Sequence, residues 1–302
     1  MTVRRKEPDM TTSDVGARSG EARVGVLARH PLVWFFVIAA AGAWVVELPV
    51  ILSRTGTGLL PYTLPPLVVL LLIAGATFTG PTVAAFVMVR VTEGPEGPKR
   101  LLRRYVQWRV PFRWYLFVLL VIPVSEVVGA IVVPGAVGSV QPVTSALVAG
   151  YPLAFLTTFL LGGPLGEEPG WRGFALPRLQ ARFGPLAGAT VLGVLWALWH
   201  FPLFWSGVWT PLTAANMIMF LVMITLLTIV MAWVFNNVGG SLLLTMLMHA
   251  SFNTFADKVV APLFPAPLLN DYVLLPELIG FGLVAVIVIV ATRGRLSYAA
   301  RT

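Results

Sequence analysis

Cysteine is absent from the 302 residues, which excludes disulfides, thiolate metal sites and a cysteine nucleophile. Charge is scarce: 11% of residues are charged and 57% hydrophobic, against roughly a quarter charged in an ordinary globular protein. That imbalance excludes a soluble globular class. Histidine is rarer still, with three in the chain, His30, His200 and His249. There is no HExxH segment, no internal repeat of the transporter kind, no low-complexity stretch and no second, soluble domain. The net charge of +8 does not indicate nucleic acid, because the basic residues flank apolar runs and form no stripe with interleaved aromatics.

What the chain does have is a series of apolar runs near the ~20 residues that a spanning helix needs. They cover about Leu32–Leu52, Pro65–Val89, Trp114–Val133, Val143–Leu161, Leu186–Trp205, Ala214–Phe235, Ser241–Phe255 and Tyr272–Ala291. The seventh is short and extends towards Val260. The expected fold is an all-α, polytopic membrane protein of about eight helices enclosing a polar cavity, because only helices and closed barrels satisfy their backbone in lipid. Residues 1–30 read as a disordered basic cytoplasmic tail, 31–292 as the membrane domain with its core at 143–257, and 293–302 as a cytoplasmic C-terminal tail. The long basic region, followed by a run without a small-residue cleavage site, argues against a signal peptide.

Charge placement tests the count. With the N-terminus inside, the inner segments hold the basic tail, a cluster of seven (Arg90, Lys99, Arg100, Arg103, Arg104, Arg109 and Arg113), then Arg172, Arg178 and Arg182, then Arg293, Arg295 and Arg301. The outer connections hold Arg54 and Lys258. This asymmetry fits eight spans with both termini in the cytoplasm of a cell (inner) membrane. The cluster of seven is expected to fix topology and touch anionic headgroups. The ten tryptophans, notably Trp196, Trp199, Trp205 and Trp209, read as an interfacial belt.

The chain is organised around Gly162–Gly173, GGPLGEEPGWRG. Ionisable groups at bilayer depth are unfavourable by a few kcal/mol or more, and so mark a site or a paired lock. Glu168 and Arg172 are four apart and share a helix face in the favourable order, which leaves Glu167 without a local partner. Gly162, Gly163, Pro164 and Gly166 break the preceding helix, and Pro169 suits the start of a new one. Broken backbone at this depth must be buried in protein or line a watery cavity.

His200 ends the fifth run, within WALWHFP, and His249 lies in the seventh, within HASFN. His249 and Asn253 share a helix face, as do Trp196 and His200. Asp257 continues the His249 face one turn on, to cap the helix or meet Lys258. His30, in the tail, carries no role. Glu47 and Glu126 stand alone within spans, either pairing a loop arginine or lining the cavity. Three spans thus supply Glu167, His200, and His249 with Asn253 to one cavity. A carboxylate away from bulk water can act as general base on a water molecule, with a histidine sharing the proton. A second histidine and an asparagine amide can donate to the oxyanion of a tetrahedral intermediate. The rival chemistry is zinc held by the two histidines and a carboxylate, with an open water position. Against it, the ligands would come from three helices, and asparagine is a poor zinc ligand.

At these residues the chain resembles the CAAX prenyl endopeptidase and bacteriocin-processing (CPBP, or Abi) family of intramembrane proteases, whose motifs are EExxxR, FxxxH and HxxxN on separate helices. Residues 167–172 (EEPGWR) match the first fully and residues 249–253 (HASFN) the third. In residues 196–200 (WALWH) tryptophan stands in place of phenylalanine and the histidine is kept. The resemblance covers about Val143–Asp257. It implies an eight-helix endopeptidase with Glu167 as base, His200 as its partner, His249 and Asn253 at the oxyanion, and Glu168 with Arg172 holding the motif helix. It implies no cofactor, with zinc as the alternative. The implied substrates are membrane-associated peptides or proteins, prenylated CAAX-type or bacteriocin-like. The alternatives to a protease are a non-proteolytic scaffold or immunity protein of the same fold and, behind it, a proton-coupled transporter.

Overall fold

Capping residues set the helix starts. The computed structural model describes residues 25–264 and 273–299. After a single turn at Val26–Arg29 come α1 (Pro31–Leu52), α2 (Pro66–Glu93), α3 (Glu96–Tyr105) and α4 (Phe112–Val132). Then follow α5 (Ser145–Leu161), α6 (residues 164–183), α7 (Pro185–His200, with a 3-10 turn at Phe201–Trp205) and α8 (Ala214–Asn237). The last two are α9 (Leu242–Phe255) and α10 (Leu275–Thr292). Proline opens α1, α2 and α7 at the first helical position, where its missing N–H removes nothing. Thr144, Thr213 and Ser241 cap α5, α8 and α9 with side-chain oxygens that accept from the first turn.

Among the described residues the chain is all-helical, with no strand. Seven of its helical segments are long and apolar enough to cross a membrane: α1, α2, α4, α7 with its 3-10 turn, α8, α10 and the stretch Ser145–Phe183 that joins α5 to α6. This is a multi-pass membrane protein. The seventh expected span, α9, is not among the seven; it continues through a π turn at Ala256–Val260 to Leu263, as its expected extension required. The disordered tail expected of residues 1–30 falls outside the described residues up to residue 24, as do Tyr272, the expected start of the last span, and the end of the C-terminal tail.

Several helices carry π turns, at Phe78–Thr82, Phe117–Val121, Pro169–Ala175 and Ala256–Val260. Such turns insert one residue and re-aim the side chains that follow. The chain breaks at Gly162–Gly163 and helix resumes at Pro164, not at Pro169, which instead opens the π turn. Gly166, expected as a breaker, sits inside the helix. A Cβ there would stand 2.2 Å from Thr77 Oγ1, and one on Gly170 would stand 2.6 Å from Pro81 Cβ. Both glycines therefore let α6 approach the π turn of α2. The core around α6 is aromatic: Phe35 stacks on Phe174 with centroids 5.0 Å apart and meets Trp171 edge-on at 5.6 Å. Leu153, Leu283 and Val290 are among the large apolar side chains left on the outside, as lipid contact requires.

Candidate active site

The break before α6 builds one wall of the site. Gly163 has φ +106°, a region that favours glycine, and a Cβ on it would stand 2.4 Å from Glu167 Oε1. Glu167 therefore occupies space that no other residue at 163 leaves open. Its Oε2 accepts from Trp196 Nε1 at 2.6 Å and from Trp171 Nε1 at 3.1 Å. The carboxylate read as lacking a local partner has one, four residues on. Two indole donors fix its orientation without supplying a counter-charge.

His200 closes the other side. Its Nε2 lies 3.9 Å from Glu167 Oε2, and its Nδ1 lies 2.9 Å from Trp196 O. A carbonyl can only accept, so Nδ1 carries the proton and Nε2 of the neutral ring presents a lone pair toward Glu167. The 3.9 Å gap exceeds a direct hydrogen bond and suits a shared water. Trp199 meets the ring edge-on and Trp209 stacks on it at 5.8 Å and 14°.

Glu168 points away from Glu167. It pairs with Arg172 at 2.8 Å, both side chains 0% exposed, and its Oε1 also lies 3.0 Å from His249 Nδ1. Arg172 rests its guanidinium 4.2 Å over the Trp196 ring and donates to Met231 Sδ at 3.0 Å. The expected i,i+4 lock thus also orients His249, so one buried ion pair ties α6 to α8 and α9. Asn253 donates one amide hydrogen to Gly162 O at 2.9 Å. Its second N–H is left for another acceptor.

Glu167, His200, His249 and Asn253 line one cavity of about 800 Å³. Glu47 and Glu277 line it too, each with a carboxyl oxygen that has no hydrogen-bond partner among the described residues. Glu47 thereby falls on the cavity-lining side of its two readings. Glu126 does neither: it is fully buried, is not part of the cavity lining, and its carboxyl oxygens have no hydrogen-bond partner among the described residues. Asp257 meets Lys258 at 2.7 Å. The aromatic-belt reading fails for Trp196 and Trp199, which are buried. Trp199 donates to Ala39 O while Trp44 donates to Trp199 O, locking α7 to α1. Trp205 alone of the four is exposed.

The zinc alternative would need His200, His249 and Glu167 to converge on one point. Both Nδ1 atoms are turned to protein acceptors, Trp196 O and Glu168, so Nε2 is the ring nitrogen each histidine would offer a metal. Among the described residues no three His, Asp or Glu side chains converge as a metal would need.

The site is thus a carboxylate, two histidines and an asparagine around one cavity of an all-helical membrane protein. Residues 149–255 match the family model of the Rce1-like type II CAAX prenyl endopeptidases. A 52-residue stretch is 44% identical to CAAX prenyl protease 2 of Methanococcus maripaludis, covering 17% of this chain and 18% of that protein. The chain thus matches less than a fifth of that relative's length. These matches support a CPBP-family protease, as the three motifs imply.

Proposed function

We propose that the protein is an intramembrane endopeptidase that cleaves membrane-associated peptides with a water activated by Glu167 and His200. The observation that carries this reading is the pair of acceptors, Glu167 Oε2 and His200 Nε2, facing each other at 3.9 Å on the cavity wall. A water between them can donate to both and direct a lone pair at a peptide carbonyl. Attack forms the new C–O bond while the water proton passes to the carboxylate. The oxyanion that develops faces Asn253 and His249. Collapse breaks the C–N bond, and the proton held by Glu167 goes to the leaving amine. Peptide plus water yields a carboxylate and an amine, with no co-reactant.

The geometry sets a condition on His249. Its Nδ1 hydrogen is directed at the Glu168 carboxylate, so donation to an oxyanion requires a second proton on Nε2. Glu168 fixes the orientation of the His249 ring. The substrates are membrane-associated and of the CAAX-type or bacteriocin-like classes, and the site is in the cell membrane. The test is cleavage of a quenched peptide library that includes farnesylated CAAX-type peptides, by purified protein in lipid. Cleavage by the wild type and none by a folded Glu167→Gln variant is expected. Equal cleavage by both overturns the role of Glu167, and no cleavage of any peptide favours a scaffold that works by binding.

A further inference from the structure

The two ends of the helix bundle differ in charge and in access. One end gathers the start of α1, the α2–α4 connection with α3, the α6–α7 and α8–α9 turns, and residues 293–299. These segments are joined: Arg178 pairs with Glu93 at 2.8 Å, Arg104 donates to Gly240 O at 2.9 Å, and Asn236 donates to Leu296 O at 2.9 Å. This end carries the cluster of seven at 90–113 with Arg29, Arg178, Arg182, Arg293 and Arg295, against Glu93 and Glu96.

The opposite end gathers segments 53–65, 133–144, 206–213 and 256–264. Gln141 N donates to Leu263 O at 2.8 Å, and Gly207 abuts Thr55, whose carbonyl oxygen a Cβ there would approach to 2.0 Å. The cations described at this end are Arg54 and Lys258, and Lys258 is paired with Asp257. The cavity that holds Glu167 is lined toward this end by Val208, Thr210, Pro211, Asp257, Phe264 and Leu274. Among the described residues no segment of the basic end contributes to its lining.

Basic connections stay in the cytoplasm, because Lys and Arg in short loops resist translocation. We propose that the cavity is entered from the non-cytoplasmic face. The segment it takes is then a peptide presented at the outer leaflet or in the space beyond it, which selects the bacteriocin-like class of the proposed substrates over prenylated chain ends made in the cytoplasm. The word substrate here rests on the proposed protease activity; the direction of entry is a property of the fold and holds for a scaffold too.

The absence of cysteine makes every introduced thiol a unique label. Val208, at the mouth, is 45% exposed, and Leu102, on α3 at the basic end, is 51% exposed. The full chain would be expressed as Val208→Cys and, separately, as Leu102→Cys, and intact cells treated with a membrane-impermeant maleimide. The expected result is labelling of Val208→Cys at least about tenfold above Leu102→Cys, with permeabilisation bringing the two level. Labelling of Leu102→Cys alone, of both or of neither in intact cells overturns the proposal. The readout needs no catalysis, so failure of the protease reading and failure of the entry reading are separable.

Discussion

Trp196 Nε1 donates to Glu167 Oε2 at 2.6 Å, while the carbonyl of the same residue receives His200 Nδ1 at 2.9 Å. One residue therefore holds the Glu167 carboxylate and sets the tautomer of His200, through side chain and backbone respectively. Trp196→Phe separates the two: the ring and the carbonyl remain, and the donor to Glu167 is lost. A hydrogen bond to a charged group is worth about 1.5–3 kcal/mol. A fall in kcat on the order of tenfold with KM unchanged is expected in steady-state cleavage of a quenched peptide. An unchanged kcat would show that Trp171 alone positions the carboxylate.

Glu168 and Arg172 form a fully buried pair, and breaking such a pair is worth about 3–5 kcal/mol because the survivor is an uncompensated charge. Arg172→Met is expected to lower the thermal unfolding midpoint in detergent markedly. The double variant Glu168→Gln/Arg172→Met is expected to recover part of the loss, since no charge is stranded. A double variant no more stable than the single one would mean that the pair is not the source of the effect.

Gly163→Ala places a methyl group where Glu167 Oε1 lies, at a φ of +106°. Displacing the reacting group by about 1 Å can lower a rate about 100-fold. A loss of that order in kcat/KM, in a protein with an unchanged helical circular dichroism spectrum, is expected. Retained activity would mean that Glu167 can work from another rotamer.

Much of this was legible in the chain because it is local. The Glu168–Arg172 pair follows from i,i+4 spacing, the helix break from Gly162–Gly163, and the separate helices of His200 and His249 from hydropathy. What was not legible depends on contacts across the sequence. Glu168 meets His249 across 81 positions and Asn253 meets Gly162 across 91, so neither partner could be read from spacing. Trp196 and Trp199 read as membrane-surface tryptophans because composition cannot tell a buried indole donor from an interfacial one. Trp171 did carry a signal, its four-residue spacing from Glu167. Glu277 joins the cavity only because the last helix packs against the middle of the fold. The π turn at Pro169–Ala175 left no trace in hydropathy, which it shares with an α-helix.

The central claim is that Glu167, without a metal, activates the attacking water. The most direct measurement is the peptidase rate of protein stripped by a strong zinc chelator, set beside untreated protein and protein re-supplied with zinc. The account predicts equal rates in all three, each abolished by Glu167→Gln. Loss on stripping, restored by zinc, would contradict it and make His200 and His249 ligands.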